Sequence, residues 1–182
     1  MRTASCEVVD VAMDTRPEHP ADQTAIRAVH EASFPTTYEA RLVDALRAAD
    51  NLHVSLVAQE RQSVVGHVAF SRVSVAGATD GVGLAPLAVL AASRRHGIGE
   101  RLVRAGLMIC EHAGNGFVVV LGDPAYYGRF GFERASRWGL VDEYGGGEAF
   151  QALELRPGAI PVGAGVVRYA PEFAAAEDTA TS

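Results

Sequence analysis

The chain has 182 residues, 48% of them hydrophobic, which suffices for one domain with a substantial core and leaves no room for a second full one. Its formal charge of −6 and its scattered arginines form no basic stripe, arguing against nucleic acid and for a cationic partner such as an amine. All sixteen basic residues are arginine, so a Walker A loop and a lysine Schiff base are excluded.

Cys6 and Cys110 are too few for a disulfide framework and lie at no zinc-like spacing, which suits a reducing compartment. No apolar run approaches the ~20 residues of a membrane span, and the start of the chain, with Glu7, Asp10 and Asp14, has no signal-peptide core. The expectation is a cytoplasmic protein with no membrane partner and no metal. One domain is expected over residues 9–173.

In chain order, residues 11–16 predict a short edge strand, and Pro17, Pro20 and Asp22 a turn into a helix with Ile26, Val29 and Phe34 facing the core. Pro35 ends it. A second helix follows over 38–49, with Leu42, Val43 and Leu46 inward and Glu39, Arg41, Asp44 and Arg47 outward. Residues 54–59 and 64–71 read as a hairpin, and 74–83, rich in small residues, as a loop. The central strand over 84–90 carries Pro86, which removes a ladder donor and favours a bulge.

After that strand comes Arg94-Arg95-His96-Gly97-Ile98-Gly99, then a helix to about Ala113 whose apolar face is Ile98, Leu102, Ala105, Gly106, Ile109 and Ala113. Cys110, beside that face, reads as a small buried hydrophobe. A glycine loop between a strand and a helix leaves backbone N–H groups unpaired and aims the helix dipole at its occupant, so it suits an anionic phosphate. We read it as the pyrophosphate site of a nucleotide-like cofactor. It is no dinucleotide fingerprint, because the third glycine of G-x-G-x-x-G falls on Leu102. Residues 117–121 form a continuous apolar strand covered on both faces. Further on, 149–155 and 166–169 read as closing antiparallel strands, and 174–182 as a disordered tail.

The loop at 94–99 resembles the [QR]-x-x-G-x-[GA] loop of the GNAT family of N-acetyltransferases, and Tyr127 with Gly131 and Phe132 resembles its downstream Y-x-x-x-G-F. The stretches VGHVAFS, APLAV and LGDPAYYGRFGF are similar to the bacterial YhbS-type branch of that family. The resemblance implies an α/β protein of the GNAT (acyl-CoA N-acyltransferase) fold, a mixed and mostly antiparallel sheet with helices on both faces. It also implies a bulge that splays the central strand from the next one and opens a slot for acetyl-CoA. The two early helices would wall the acceptor pocket.

By the same resemblance, loop backbone from Arg95 through His96, Gly97 and Ile98 to Gly99 holds the coenzyme A pyrophosphate, with Arg94 and Arg95 adding charge. Leu87, Ala88 and Val89 bind pantetheine in strand fashion, with Tyr126 beside the cofactor. Tyr127 is the candidate acid for the departing thiolate. Many relatives carry a glutamate base on the central strand, but residues 84–90 hold no ionisable group. His67 is a candidate substitute or water-positioner, and equally reads as a hydrogen-bonded strand histidine; Glu39, His30 and solvent are the other proton acceptors. The activity implied is acetyl transfer to a primary amine by direct attack in a ternary complex, in a monomer or homodimer. The alternative is a non-catalytic acyl-CoA-binding sensor or regulatory module of the same fold.

Overall fold

The structure is a computed structural model that describes residues 13–75, 78–161, 163 and 165–178. Strand β1 (Met13–Pro17) leads through a 3-10 turn at Pro20–Asp22 into helices α1 (Gln23–Ser33) and α2 (Tyr38–Ala48). Positions 11 and 12 of the expected first strand lie outside the described residues. Asp22 fixes this entry by accepting from the His19 backbone N–H at 2.7 Å while pairing with Arg16. Phe34, forced out of the helical region by Pro35, ends α1 in extended backbone.

Next come β2 (Leu52–Glu60), β3 (Ser63–Val75) and β4 (Ala78–Val89), an antiparallel meander. The first hairpin closes through Arg61 and Gln62, both with positive φ, as the twist of a two-residue turn demands. Helix α3 (Ile98–His112) returns the chain to β5 (Phe117–Leu121), which lies parallel to β4. The one-turn helix α4 (Pro124–Tyr127), β6 (Glu133–Arg134), β7 (Leu140–Asp142), β8 (Phe150–Glu154), β9 (Gly165–Val167) and α5 (Glu172–Asp178) complete the chain. The main sheet runs β1-β2-β3-β4-β5-β8-β6, antiparallel at every step but β4–β5; β7 and β9 form a separate parallel pair.

Side-chain alternation along β2 and β3 divides the core between the two faces of the sheet. Leu56, Ala58, Val68 and Phe70 join Ile98, Leu102 and Val103 of α3 on one face. Val57 and Ala69, one residue out of phase, join Ile26 of α1 and Val43 of α2 on the other. Helices therefore cover both faces, as the family resemblance implies.

Four expectations need correction. The stretch at 74–83 is mostly strand: β3 extends to Val75 and β4 starts at Ala78. Gly81 serves packing, since a Cβ there would stand 2.3 Å from the Phe117 ring. The buried stripe of α3 is rotated toward Val103 and Cys110, leaving Ile109 38% exposed, because apolar residues flank the stripe on both sides and periodicity alone does not centre it. Strand β9 pairs with β7 in parallel and joins the antiparallel expectation only through a bridge between Ser74 and Arg168. Finally, the expected tail is helical as far as Asp178, with Phe173 and Ala176 buried against Leu42 and Leu46 of α2. Residues 179–182 lie outside the described set.

Candidate active site

The site begins where β4 leaves β5. Their parallel ladder spans only Gly81↔Phe117 to Gly83↔Val119. On the other side of β4 the register jumps from Phe70↔Leu84 to Val68↔Leu87, so Ala69 alone faces Ala85 and Pro86. This is a bulge at the residue that has no N–H to donate. Beyond it the outer edge of β4 is open. The Val89 carbonyl points to that edge, accepting from Arg94 Nε at 2.9 Å and Ser33 Oγ at 3.3 Å, while the Leu90 N–H turns inward to Val65. In extended backbone a residue's N–H and C=O point the same way and alternate along the strand, so the N–H groups of Val89 and Leu87 both face the opening.

A cavity of about 660 Å³ lies along this edge, lined by Leu87, Ala88, Val89, the loop and Tyr126. Arg95 (φ 64) and Gly97 (φ 77) adopt left-handed backbone, and the first α3 hydrogen bond runs from the Arg101 N–H to the Gly97 carbonyl. The N–H groups of Ile98, Gly99 and Glu100 thus belong to an uncapped first turn. Arg94, Arg95 and Arg129 face the cavity against one carboxylate, Glu100. Arg129 also stacks over Tyr126 at 4.5 Å. Gly99 admits the Tyr126 ring: a Cβ there would stand 2.7 Å from the hydroxyl. Helix N-terminus, left-handed loop and excess arginine together form a cradle for an anion. Of the predicted cofactor residues, His96 alone is outside; exposed, it turns Nδ1 to the Ser93 carbonyl at 3.3 Å.

A second cavity, of about 350 Å³, shares Phe34 and Leu87 with the first. Tyr127 lines it, 9% exposed, on a helix turn capped by the Asp123 carboxylate, which accepts from the Ala125 N–H at 2.9 Å. The ring is wedged edge-on between Tyr126 (5.0 Å) and Phe132 (5.7 Å). Burial, then the neighbouring Tyr126, pushes its phenol up, so it holds its proton at neutral pH. Glu39, Asp142, Tyr38, Tyr144, Tyr169 and Phe173 also line this cavity, and no arginine or histidine does.

His67 is elsewhere. It is wholly buried on the α1 side of the sheet and lines neither cavity. Its Nδ1 meets His30 Nε2 at 2.8 Å and its Nε2 meets Ser55 Oγ at 2.8 Å; Ser55 in turn donates to Glu18, which Arg47 holds at 2.7 Å. One proton arrangement satisfies this chain: His30 donates to His67, His67 to Ser55, and Ser55 to Glu18. Both His67 nitrogens are then engaged and it keeps no lone pair for a base, whereas His30 Nδ1 is buried with no partner among the described residues, and His30 lines neither cavity. Burial drives the pKa of His30 down to about 3 and that of His67 down as well. Burial would raise Glu18, but His67, Arg47 and Ser55 outweigh it and hold the carboxyl well below its usual range. The Cys110 thiol, buried in the core, is pushed up to about 12.

Sequence reasoning missed Ser33, Phe34 and Arg129 in the first cavity and Asp142, Tyr144, Tyr169 and Phe173 in the second. Arg129 carried a signal, lying three residues beyond Tyr126, whose carbonyl its Nε reaches at 3.2 Å. Asp142 and Tyr169 carried none, since β7 and β9 are three residues each.

Comparisons with known proteins identify the family. The profile of the acetyltransferase (GNAT) family matches residues 23–132. The chain is 42% identical over 161 residues to the uncharacterized N-acetyltransferase YhbS of Escherichia coli (strain K12), covering 87% of this chain and 96% of that one. The crystal structure of E. coli YhbS in complex with CoA superposes with a TM-score of 0.85 at 39% identity, over 90% of this chain and 93% of that one. A GNAT family acetyltransferase from Brucella melitensis in complex with acetyl-CoA gives a TM-score of 0.75 at 40% identity, over 89% and 98%. On the profile match and on these two relatives together, the chain belongs to the acetyltransferase (GNAT) family.

Proposed function

We propose that the protein is an N-acetyltransferase that moves an acetyl group from acetyl-CoA to a primary amine within a ternary complex. The observation that carries this reading is the junction at Leu87 and Phe34, where a cradle for an anion runs into an acidic, aromatic cavity containing Tyr127. The relatives bound to CoA and acetyl-CoA support the choice of cosubstrate.

Acetyl-CoA bound in the first cavity supplies a thioester, whose carbonyl carbon an amine attacks. The loop N–H groups and Arg95 hold the pyrophosphate, and the open edge of β4 pairs with the pantetheine amides. An edge N–H of Leu87 or Val89 stabilises the carbonyl oxygen as it gains charge. Glu39, whose Oε2 is buried without a partner among the described residues and which lies on the second cavity, takes the proton from the incoming ammonium. Tyr127 donates its proton to the departing sulfur and recovers one from the acylated nitrogen.

Release of free thiol from acetyl-CoA over a panel of small amines tests the proposal. Tyr127→Phe keeps the ring packing and should lower turnover about 10²-fold with little change in acetyl-CoA affinity. Acetyl-CoA binding without thiol release on any amine would instead favour a sensor, and full activity of Tyr127→Phe would remove that residue from the mechanism.

A further inference from the structure

We infer that the acceptor is a small dication, an aliphatic diamine in which one ammonium is acylated while the second stays paired inside the cavity. This rests on the second cavity being the acceptor site. Two carboxylates face that space from opposite parts of the chain, and each has an oxygen without a partner. Asp142, 6% exposed at the end of β7, accepts from the Gly146 N–H at 2.7 Å through Oδ2 and faces the Tyr169 hydroxyl, whose proton burial and then Asp142 hold in place, while its Oδ1 has no close donor among the described residues. Glu39, in the first turn of α2, has Oε2 in the same condition.

A buried acceptor left without a donor costs about 1–3 kcal/mol, and more when charged. Two such oxygens on one cavity are a recurring cost unless a ligand brings donors to both. Among the described residues the lining contains no arginine or histidine to do so from within; its donors are tyrosine hydroxyls, of which Tyr169 faces Asp142, and they bring no positive charge. A monoamine satisfies one oxygen, a diamine both.

The rest of the wall fits the same ligand. Tyr38, Tyr144, Tyr169 and Phe173 present rings that attract cations and cover methylene groups. A volume of about 350 Å³ is at the small end for ligand pockets and suits a short chain better than a peptide. An amino acid would bring its own carboxylate against two others. In the transfer, the nitrogen bonds to the acetyl carbon and the carbon–sulfur bond breaks. The nitrogen loses two protons, of which one ends on sulfur and one, through Glu39, in solvent. Asp142 keeps the distal ammonium throughout.

The test is calorimetric titration of the CoA-bound protein with 1,5-diaminopentane, 1-aminopentane and 5-aminopentanoate, with thiol release from acetyl-CoA read on the same probes. The diamine should bind at least tenfold more tightly than the monoamine, and 5-aminopentanoate more weakly than either. Asp142→Asn should bring diamine and monoamine to within about twofold of each other, and Glu39→Gln should weaken both. Equal binding of diamine and monoamine overturns the inference, as does preference for 5-aminopentanoate, or a diamine advantage that survives in an Asp142→Asn protein of parental melting temperature. The parent's ranking of the three probes decides even if a variant does not fold. Diamine preference in binding without thiol release upholds the diamine site and removes the transferase reading; thiol release with the monoamine and not the diamine does the reverse.

Discussion

Burial keeps the proton on Tyr127 and off His67, and the two residues part company on what their neighbours leave free. Tyr127 lines a cavity, held there by ring contacts. Both His67 nitrogens are spent on His30 and Ser55. The tyrosine was legible because its register with Gly131 and Phe132 is local. The histidine was not, because its partners come from three separate segments. Buried and fully bonded, it bears on stability, and pH tests this. His30, with its pKa near 3, and His67, also lowered, stay neutral in the folded chain below pH 6.5, where the unfolded chain binds those protons. The unfolded state is therefore favoured as pH falls below about 6.5, by about 1.4 kcal/mol per pH unit for His30, with His67 acting in the same direction. Glu18 acts the same way only below its unfolded value of 4.5. Urea denaturation from pH 7.5 to 5.0 should show a plateau followed by this decline; constant stability to pH 5.0 would count against a neutral pair.

At the level of elements, helices and the loop were readable because each carries its own signal: a 3.6-residue period, a proline stop, glycines at fixed places. The short strands β6 and β7 were not, since they hold two or three residues and exist only through their partners; β9 was read at 166–169, but not its parallel pairing with β7. Small residues in β4 mimicked a loop because their bulk is supplied by Phe117 from β5. The loop before α3 allows a separation of strain from charge. Gly97 has φ 77 and nothing within 4 Å of its virtual Cβ, so Gly97→Ala costs about 1–2 kcal/mol of stability in left-handed backbone without filling the cradle. Gly97→Glu adds a negative charge at the same strain. Its acetyl-CoA dissociation constant should exceed that of Gly97→Ala at least tenfold, about 1.4 kcal/mol, by calorimetry. Equal affinity of the two variants would place the pyrophosphate elsewhere.

Across the whole molecule, the second cavity is assembled from the start of α2, the bulge in β4, the end of β5, and the residues around β7, β9 and α5. Such an enclosure has no signature in any one stretch, so its acidity appeared in the sequence only as a general excess of negative charge. Phe34 and Leu87, the two side chains common to both cavities, carry one more consequence. Under the proposed function, the group attached to the thioester lies between them, which would make this pair a gauge of acyl-chain length. Phe34 stacks on His30 with ring centroids 6.0 Å apart. Phe34→Ala should raise kcat/KM for butyryl-CoA relative to acetyl-CoA at least tenfold, measured against one amine in a protein whose far-ultraviolet circular dichroism is unchanged. A ratio that stays at the parental value would mean that the acyl group extends away from the junction.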